Sequence, residues 1–150
     1  MEPIVACCDT SLRGAETAFG SGRSTPQRRA IAETVSALDA AFTAEDLAAR
    51  VRRAHPGIST ATLYRSITAM ASTGFIVPVG ERAGAVLYAP CGSSEHHHHV
   101  VCTSCGATAH TPCPLLSAGV ASATPDGFVV TSHEVRLYGL CAACAASAKG

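Results

Sequence analysis

The sequence predicts an α+β chain in two units, an N-terminal winged helix-turn-helix and a smaller β-rich unit stapled by cysteines. Three observations predict it. Residues 25–74 carry three apolar stripes at helical spacing, each behind a capping residue. Two short apolar runs joined by the polar GERAG segment follow as a hairpin. Two C-x-x-C pairs then fall in the last third, where the chain is too short for a large core and needs a staple. Three helices followed by a hairpin is the winged-helix order.

Residues 1–22 show no periodicity, end in Gly20-Ser21-Gly22, and are expected to form a flexible arm. In Thr25-Pro26 an N-cap is followed by proline at the first helical position, and Ile31, Val35 and Leu38 line one face. Thr43-Ala44-Glu45-Asp46 is a capping-box variant ahead of Leu47 and Val51, and Pro56-Gly57 stops that helix. Ser59 or Thr60 caps the third stretch, which Gly74 closes; Leu63, Ile67 and Met70 face inward. Arg65 lies nearly opposite that stripe and Tyr64 flanks it. Phe75–Val79 and Ala85–Tyr88 read as strands, and Pro78 restricts the first to a sheet edge. Residues 89–95 read as a linker. Strands are expected at 96–103, 107–112 and 128–138, with a helix near 115–123. The division is therefore 1–22, 23–88, 89–95 and 96–150.

Hydrophobic residues make up 47% of the 150 and charged residues 15%, a globular composition. No apolar run approaches the roughly 20 residues of a membrane helix. The start, MEPIVACCDTSLRG, lacks a basic segment and a long apolar one, so no secretory signal is visible and the cytoplasm is the expected compartment. There, eight cysteines point to metal or redox chemistry and away from disulfides. Net charge is zero, yet seven arginines between Arg23 and Arg65 face four acidic residues, a local basic excess in one half.

Cys102-x-x-Cys105 and Cys141-x-x-Cys144 pair as knuckles whose four thiolates suit a closed tetrahedral zinc site. The run His96–His99 enters VVCTSC, an alternating strand pattern. Successive side chains on a strand point to opposite faces, so His96 and His98 face one way and His97 and His99 the other. Four histidines on one strand make two half-sites. Cys91, His110 and His133 are near enough in sequence to complete them. Cys7, Cys8 and Cys113 have no partner at metal spacing and read as free thiols. Tyr64 and Arg65, on the second helix of a helix-turn-helix, are placed to reach base edges.

Together, TPQR (25–28), TAEDL (43–47), TATLYR (60–65), HHHHVVCTSCG (96–106) and LYGLCAAC (137–144) resemble the Fur family of metal-responsive repressors over residues 23–144. Within it the chain looks most like the zinc-uptake regulators, Zur. The resemblance implies a homodimer with winged helices on double-stranded operator DNA, a small C-terminal α/β dimerisation domain, and repression of zinc-uptake genes when zinc is plentiful. By position it implies structural zinc at Cys102, Cys105, Cys141 and Cys144. Cys91, His97 and His99 match a regulatory site at the hinge, and His96, His98 and His133 match three ligands of an additional site. Arg23, Tyr64 and Arg65 match DNA contacts. Zn2+ is thus expected once as structural ion and once as regulatory ion, with a third site as a further candidate.

Two positions depart from the family pattern. The wing strand offers no carboxylate where relatives place a hinge-site Asp, since Val77 and Pro78 stand there. Ser117 stands where the additional site usually has a Glu. His110, five residues after Cys105, resembles the place of a carboxylate ligand in iron- and peroxide-sensing relatives; it is the expected fourth hinge ligand, with Glu81 as the alternative. Sensing of iron, nickel, manganese or peroxide is the alternative within the family. Iron prefers carboxylates, whereas a thiolate with imidazoles suits zinc. A zinc hydrolase would need an open metal position and a nearby base. No H-E-x-x-H is present, so neither an enzyme nor a small-molecule substrate is expected. A zinc-stapled interaction module would not need the Arg-bearing third helix.

Overall fold

The computed structural model describes residues 15, 17–91, 97–113 and 124–148. Three helices, α1 (Pro26–Ser36), α2 (Ala44–Ala54) and α3 (Thr60–Ser72), come first. Each begins where a side-chain oxygen takes up an orphan N–H: Thr25 accepts from Arg28, Thr43 from Asp46 and Ser59 from Thr62. At α2 the box is reciprocal, because the Thr43 N–H donates to Asp46 at 2.9 Å. Gly74, at φ 75°, ends α3: its N–H donates to Ala71 and that of Phe75 to Met70, a Schellman closure. Ile31, Val35, Leu47, Val51, Leu63, Ile67 and Met70 form the core between the helices.

β1 (Ile76–Arg82) and β2 (Ala85–Pro90) form the antiparallel wing. Ala83 and Gly84, both at positive φ, make its turn, and the register slips between Pro78 and Gly80. The Arg82 guanidinium pairs with Asp46, fixing the wing tip to α2. The second sheet contains β3 (His97–Cys102), β4 (Thr108–Pro112) and β5 (Arg136–Gly139) in the order β4-β3-β5, with β3 antiparallel to β4 and parallel to β5. A short helix, α4 (Ala142–Ser147), follows. Ala41, Val79, Ala89 and Val101 form a second apolar cluster that joins the wing to β3. Beside it, Tyr138 Oη donates to the Val79 carbonyl at 2.7 Å.

Three elements differ from the sequence expectation. Within the expected arm, Ala15, Ala18 and Phe19 are buried in the helical core, and the Ala18 carbonyl accepts from Thr73 Oγ1 at 2.9 Å. Their spacing of i, i+3, i+4 is a single turn's worth of pattern that Gly20-Ser21-Gly22 cuts off, too short to mark an element in the sequence. The expected strand at 128–138 is regular only from Arg136; Phe128 and Val129 project into solvent at 73% and 87% exposure. α4 begins inside the second cysteine pair, with Cys141 at its N-cap and Cys144 in its first turn, and has no amphipathic stripe to announce it. The helix expected near 115–123 lies outside the described residues.

Candidate metal centres and nucleic-acid interface

β3 alternates as its period requires. His97 and His99 point to one face and His98 to the other, and all three are buried. Cys91 follows β2, and its N–H donates to the Phe75 carbonyl at 2.9 Å, so its position is set by the helical part of the chain. Its sulfur lies 3.6 Å from His97 Nε2, and the donor atoms of Cys91, His97 and His99 are all within 4.8 Å of one another. These donors therefore come from both sides of the junction between wing and sheet.

The local electrostatics suit a cation. Burial, followed by the charge on His97, lowers the His99 pKa to about 4, so its ring is neutral and able to ligate at neutral pH. His99 Nε2 is buried with no hydrogen-bond partner among the described residues. An unpartnered imidazole nitrogen beside a thiol and a second imidazole is a donor set that fits zinc.

His110 pairs with His99 across the β3–β4 ladder, its ring centroid 5.0 Å from that of His99 and 4.4 Å from that of His97. Burial and the two neighbouring rings lower its pKa as well. Its contact with the cluster is ring to ring; the mutually close donor atoms are those of Cys91, His97 and His99. Glu81 is exposed on β1.

Cys102, Cys105, Cys141 and Cys144 come together with all four sulfurs within 4.8 Å. Parallel pairing of β3 with β5 sets Cys102 beside Gly139 and so brings both knuckles to one end of the sheet. Gly106 turns the first knuckle at φ 78°, and α4 starts at Cys141 in the second. N–H groups of Cys105 and Cys141 lower the Cys102 pKa to about 6. For Cys144 the Ser104 hydroxyl favours the thiolate, but the Cys141 and Cys105 sulfurs outweigh it and raise the thiol to about 11. Four crowded sulfurs that resist ionising together, one already acidic, fit a divalent cation.

On the far face of β3, His98 meets Cys113 and His133, again with donors within 4.8 Å of one another. Cys113, expected from its spacing to be a free thiol, stands here beside two imidazoles. Its proximity depends on where the chain returns before β5, which no local spacing encodes. His96 and Ser117 lie outside the described residues, as do Cys7 and Cys8.

Tyr64 and Arg65 are exposed on α3, while Leu63 and Ile67 beside them are buried. Arg65 donates only a long contact, 3.5 Å, to Thr62. Arg23 is exposed ahead of α1, and its carbonyl accepts from Arg28. Arg50, Arg52 and Arg53 on α2 are exposed too, and the sequence counted them as charge without placing them at a site.

Helices and wing joined through a thiolate–imidazole cluster to a cysteine-stapled sheet define a class of two-part proteins with metal donors at the junction. The chain belongs to the Ferric uptake regulator family, which matches residues 20–138. It is 37% identical over 124 residues to the zinc uptake regulation protein of Mycobacterium tuberculosis, covering 81% of this chain and 94% of that protein. It is 32% identical to the transcriptional regulator FurA of Mycobacterium bovis over 126 residues, covering 83% of this chain and 84% of that protein. A solved zinc uptake regulator in complex with zinc and DNA superposes with a TM-score of 0.69 at 27% identity, covering 89% of this chain and 90% of that one.

Proposed function

We propose that the chain is a zinc-responsive transcriptional repressor that binds double-stranded operator DNA when its junction site is loaded, and so controls zinc-uptake genes. The observation that carries this reading is the shared cluster of Cys91, tied to the helical part, with His97 and His99 on the sheet. Likeness to a zinc uptake regulation protein and to a regulator solved with zinc and DNA supports both the metal and the partner. We read residues 23–88 as the DNA-binding unit, 89–95 as the hinge and 96–150 as the dimerisation unit. Among the described residues β5 pairs only with β3, and Leu137, Tyr138 and Leu140 are exposed along it. That open, partly apolar edge suits a second copy of the chain, which supports the homodimer reading.

Bound at the junction, zinc supplies a tetrahedral centre between the two units. Cys91, His97 and His99 would hold it, with His110 as fourth ligand and Glu81 as the alternative; the ring contacts of His110 favour the first. Donors from both units select one arrangement of them, and DNA affinity rises only by the difference in metal affinity between arrangements. Arg65 and Tyr64 would read bases, while Arg23 and the α2 arginines meet phosphates. The four cysteines would hold a structural zinc whose closed shell leaves no position for catalysis, which supports a regulator over an enzyme. No described helix is long and apolar enough to cross a membrane, and we take the cytoplasm as the compartment.

The test is a mobility-shift titration with zinc, on the unaltered protein and on Cys91→Ala. Zinc should tighten operator binding of the first and leave the second unresponsive. An equal response from both would refute a switch at the junction.

A further inference from the structure

We propose that Tyr138 is a positioning residue for the wing: its phenol carries the placement of the metal-bearing sheet onto β1 and so fixes how the wing meets DNA. A bulge in the hairpin marks the spot. Pro78 pairs with Tyr88 and Gly80 with Leu87, so Val79 is the extra residue between them. Val79 is buried, and its carbonyl accepts from Tyr138 Oη at 2.7 Å, from 59 residues further along the chain. Gly80 makes room for the ring. A Cβ there would stand 3.1 Å from Tyr138 Oη and 3.4 Å from Cε1. Bulge, glycine and phenol therefore fit one another.

The path from the junction to this contact is short. β5 runs parallel to β3 and pairs His99 with Arg136 and Val101 with Tyr138. Val101 shares the apolar seam with Val79. Adjacent residues of β3 and β5 thus hold the same residue of the wing, one by packing and one by a hydrogen bond. His99 stands two residues before Val101 on the same strand. Paired strands move as a unit, so the arrangement that brings His97 and His99 to Cys91 is the one that seats the phenol on the bulge. Next to this contact β1 has room to shift, because a cavity of about 90 Å³ is lined by Val77, Pro78, His99 and Arg136. The wing tip has a tie of its own, Arg82 to Asp46, but that one ends on α2 within the helical part. Tyr138 ties the wing to the sheet.

The seat matters only when the junction is loaded. Without metal the units need not hold this placement, and the phenol contributes nothing to DNA binding. With metal bound, a seated wing is already oriented, whereas an unseated one must be ordered as DNA binds. Tyr138→Phe keeps the ring and removes the hydrogen bond alone.

The inference rests on the zinc-responsive reading for its partner, DNA. Its test compares operator affinity of the full-length protein at saturating zinc and after mild chelation that leaves the four-sulfur zinc in place. In Tyr138→Phe the loaded affinity should fall roughly five- to tenfold, for one hydrogen bond lost in each half of a dimer, with the chelated affinity unchanged. An unchanged loaded affinity overturns the proposal. So does an equal fall in both states, which is what loss of folding stability alone would give. Should the variant unfold or dissociate, fluorine NMR of the unaltered chain decides, with 3-fluorotyrosine at Tyr64, Tyr88 and Tyr138 and assignment by Tyr64→Phe and Tyr88→Phe. The Tyr138 resonance should shift on zinc loading and stay put in Cys91→Ala; an unmoved resonance in the unaltered protein overturns the seat. That readout involves no DNA. A moving Tyr138 without zinc-dependent operator binding would refute the DNA reading alone, and zinc-dependent binding that Tyr138→Phe retains in full would refute the seat alone.

Discussion

His99 is the residue through which acid reaches the junction. An unperturbed imidazole titrates near 6.5, and burial here brings the folded value down to about 4. Between those limits the unfolded chain binds a proton that the folded chain refuses, so metal-free protein loses stability as pH falls below 6.5 and loses none above it. The loss amounts to about 2 kcal/mol by pH 5. The unfolding free energy of chelated protein should be lower at pH 5 than at pH 7.5 by about that amount, and His99→Gln should remove most of the difference. At the same scale His110 and Glu81 can be separated. His110→Ala should demand far more zinc for operator binding while the four-cysteine site stays filled. A wild-type response in that variant, with a lost response in Glu81→Ala, would move the fourth ligand to the wing. The residues of the junction were legible because strand period alone sorts His97 and His99 from His98. Cys113 was not, since a lone cysteine acquires partners only when a distant segment returns to it.

Among the elements, α3 carries the clearest separation between fold and function. Leu63, Ile67 and Met70 are buried against α1 and α2, and Tyr64 and Arg65 face outward. Arg65→Ala should therefore abolish tight operator binding with zinc stoichiometry and dimerisation intact. One bidentate base contact is worth roughly 1–3 kcal/mol, and a symmetric dimer loses two. A binding curve unchanged at fixed salt would show that this helix does not read DNA. Helix ends are also where the sequence was most readable, because Thr25, Thr43, Ser59 and Gly74 act on backbone groups within a few residues of themselves. The Thr43 box can be checked by itself: Thr43→Ala should cost ~1 kcal/mol of stability without altering metal content. Strand β5 shows the opposite case. Its shortness follows from having one neighbour among the described residues, a tertiary condition that the apolar run from Phe128 does not disclose.

For the whole molecule the four cysteines matter most. They gather at the ends of β3 and β5, and a metal held there would add its binding free energy to the folding of a sheet with little core of its own. Cys141→Ser should leave the C-terminal part unfolded or the protein monomeric, measured by circular dichroism and light scattering. A folded dimer lacking that zinc would contradict the reading. The order of three helices, hairpin and second sheet was legible from periodicity and caps, but the apolar seam between wing and sheet was not. Ala41, Val79, Ala89 and Val101 each belong to a different local pattern and meet only in three dimensions.

The histidine run has one further consequence. A run of identical side chains carries no information about its own alignment. Sliding β3 by one residue against β4, so that each residue takes the place of the next, would put His98 in the junction and His97 on the opposite face, with imidazole still in every place. Only the strand's end would register the error, since Val101 would leave the apolar seam and Cys102 would swing away from the other sulfurs. The four-sulfur site is therefore the clasp that tells each histidine which face it serves.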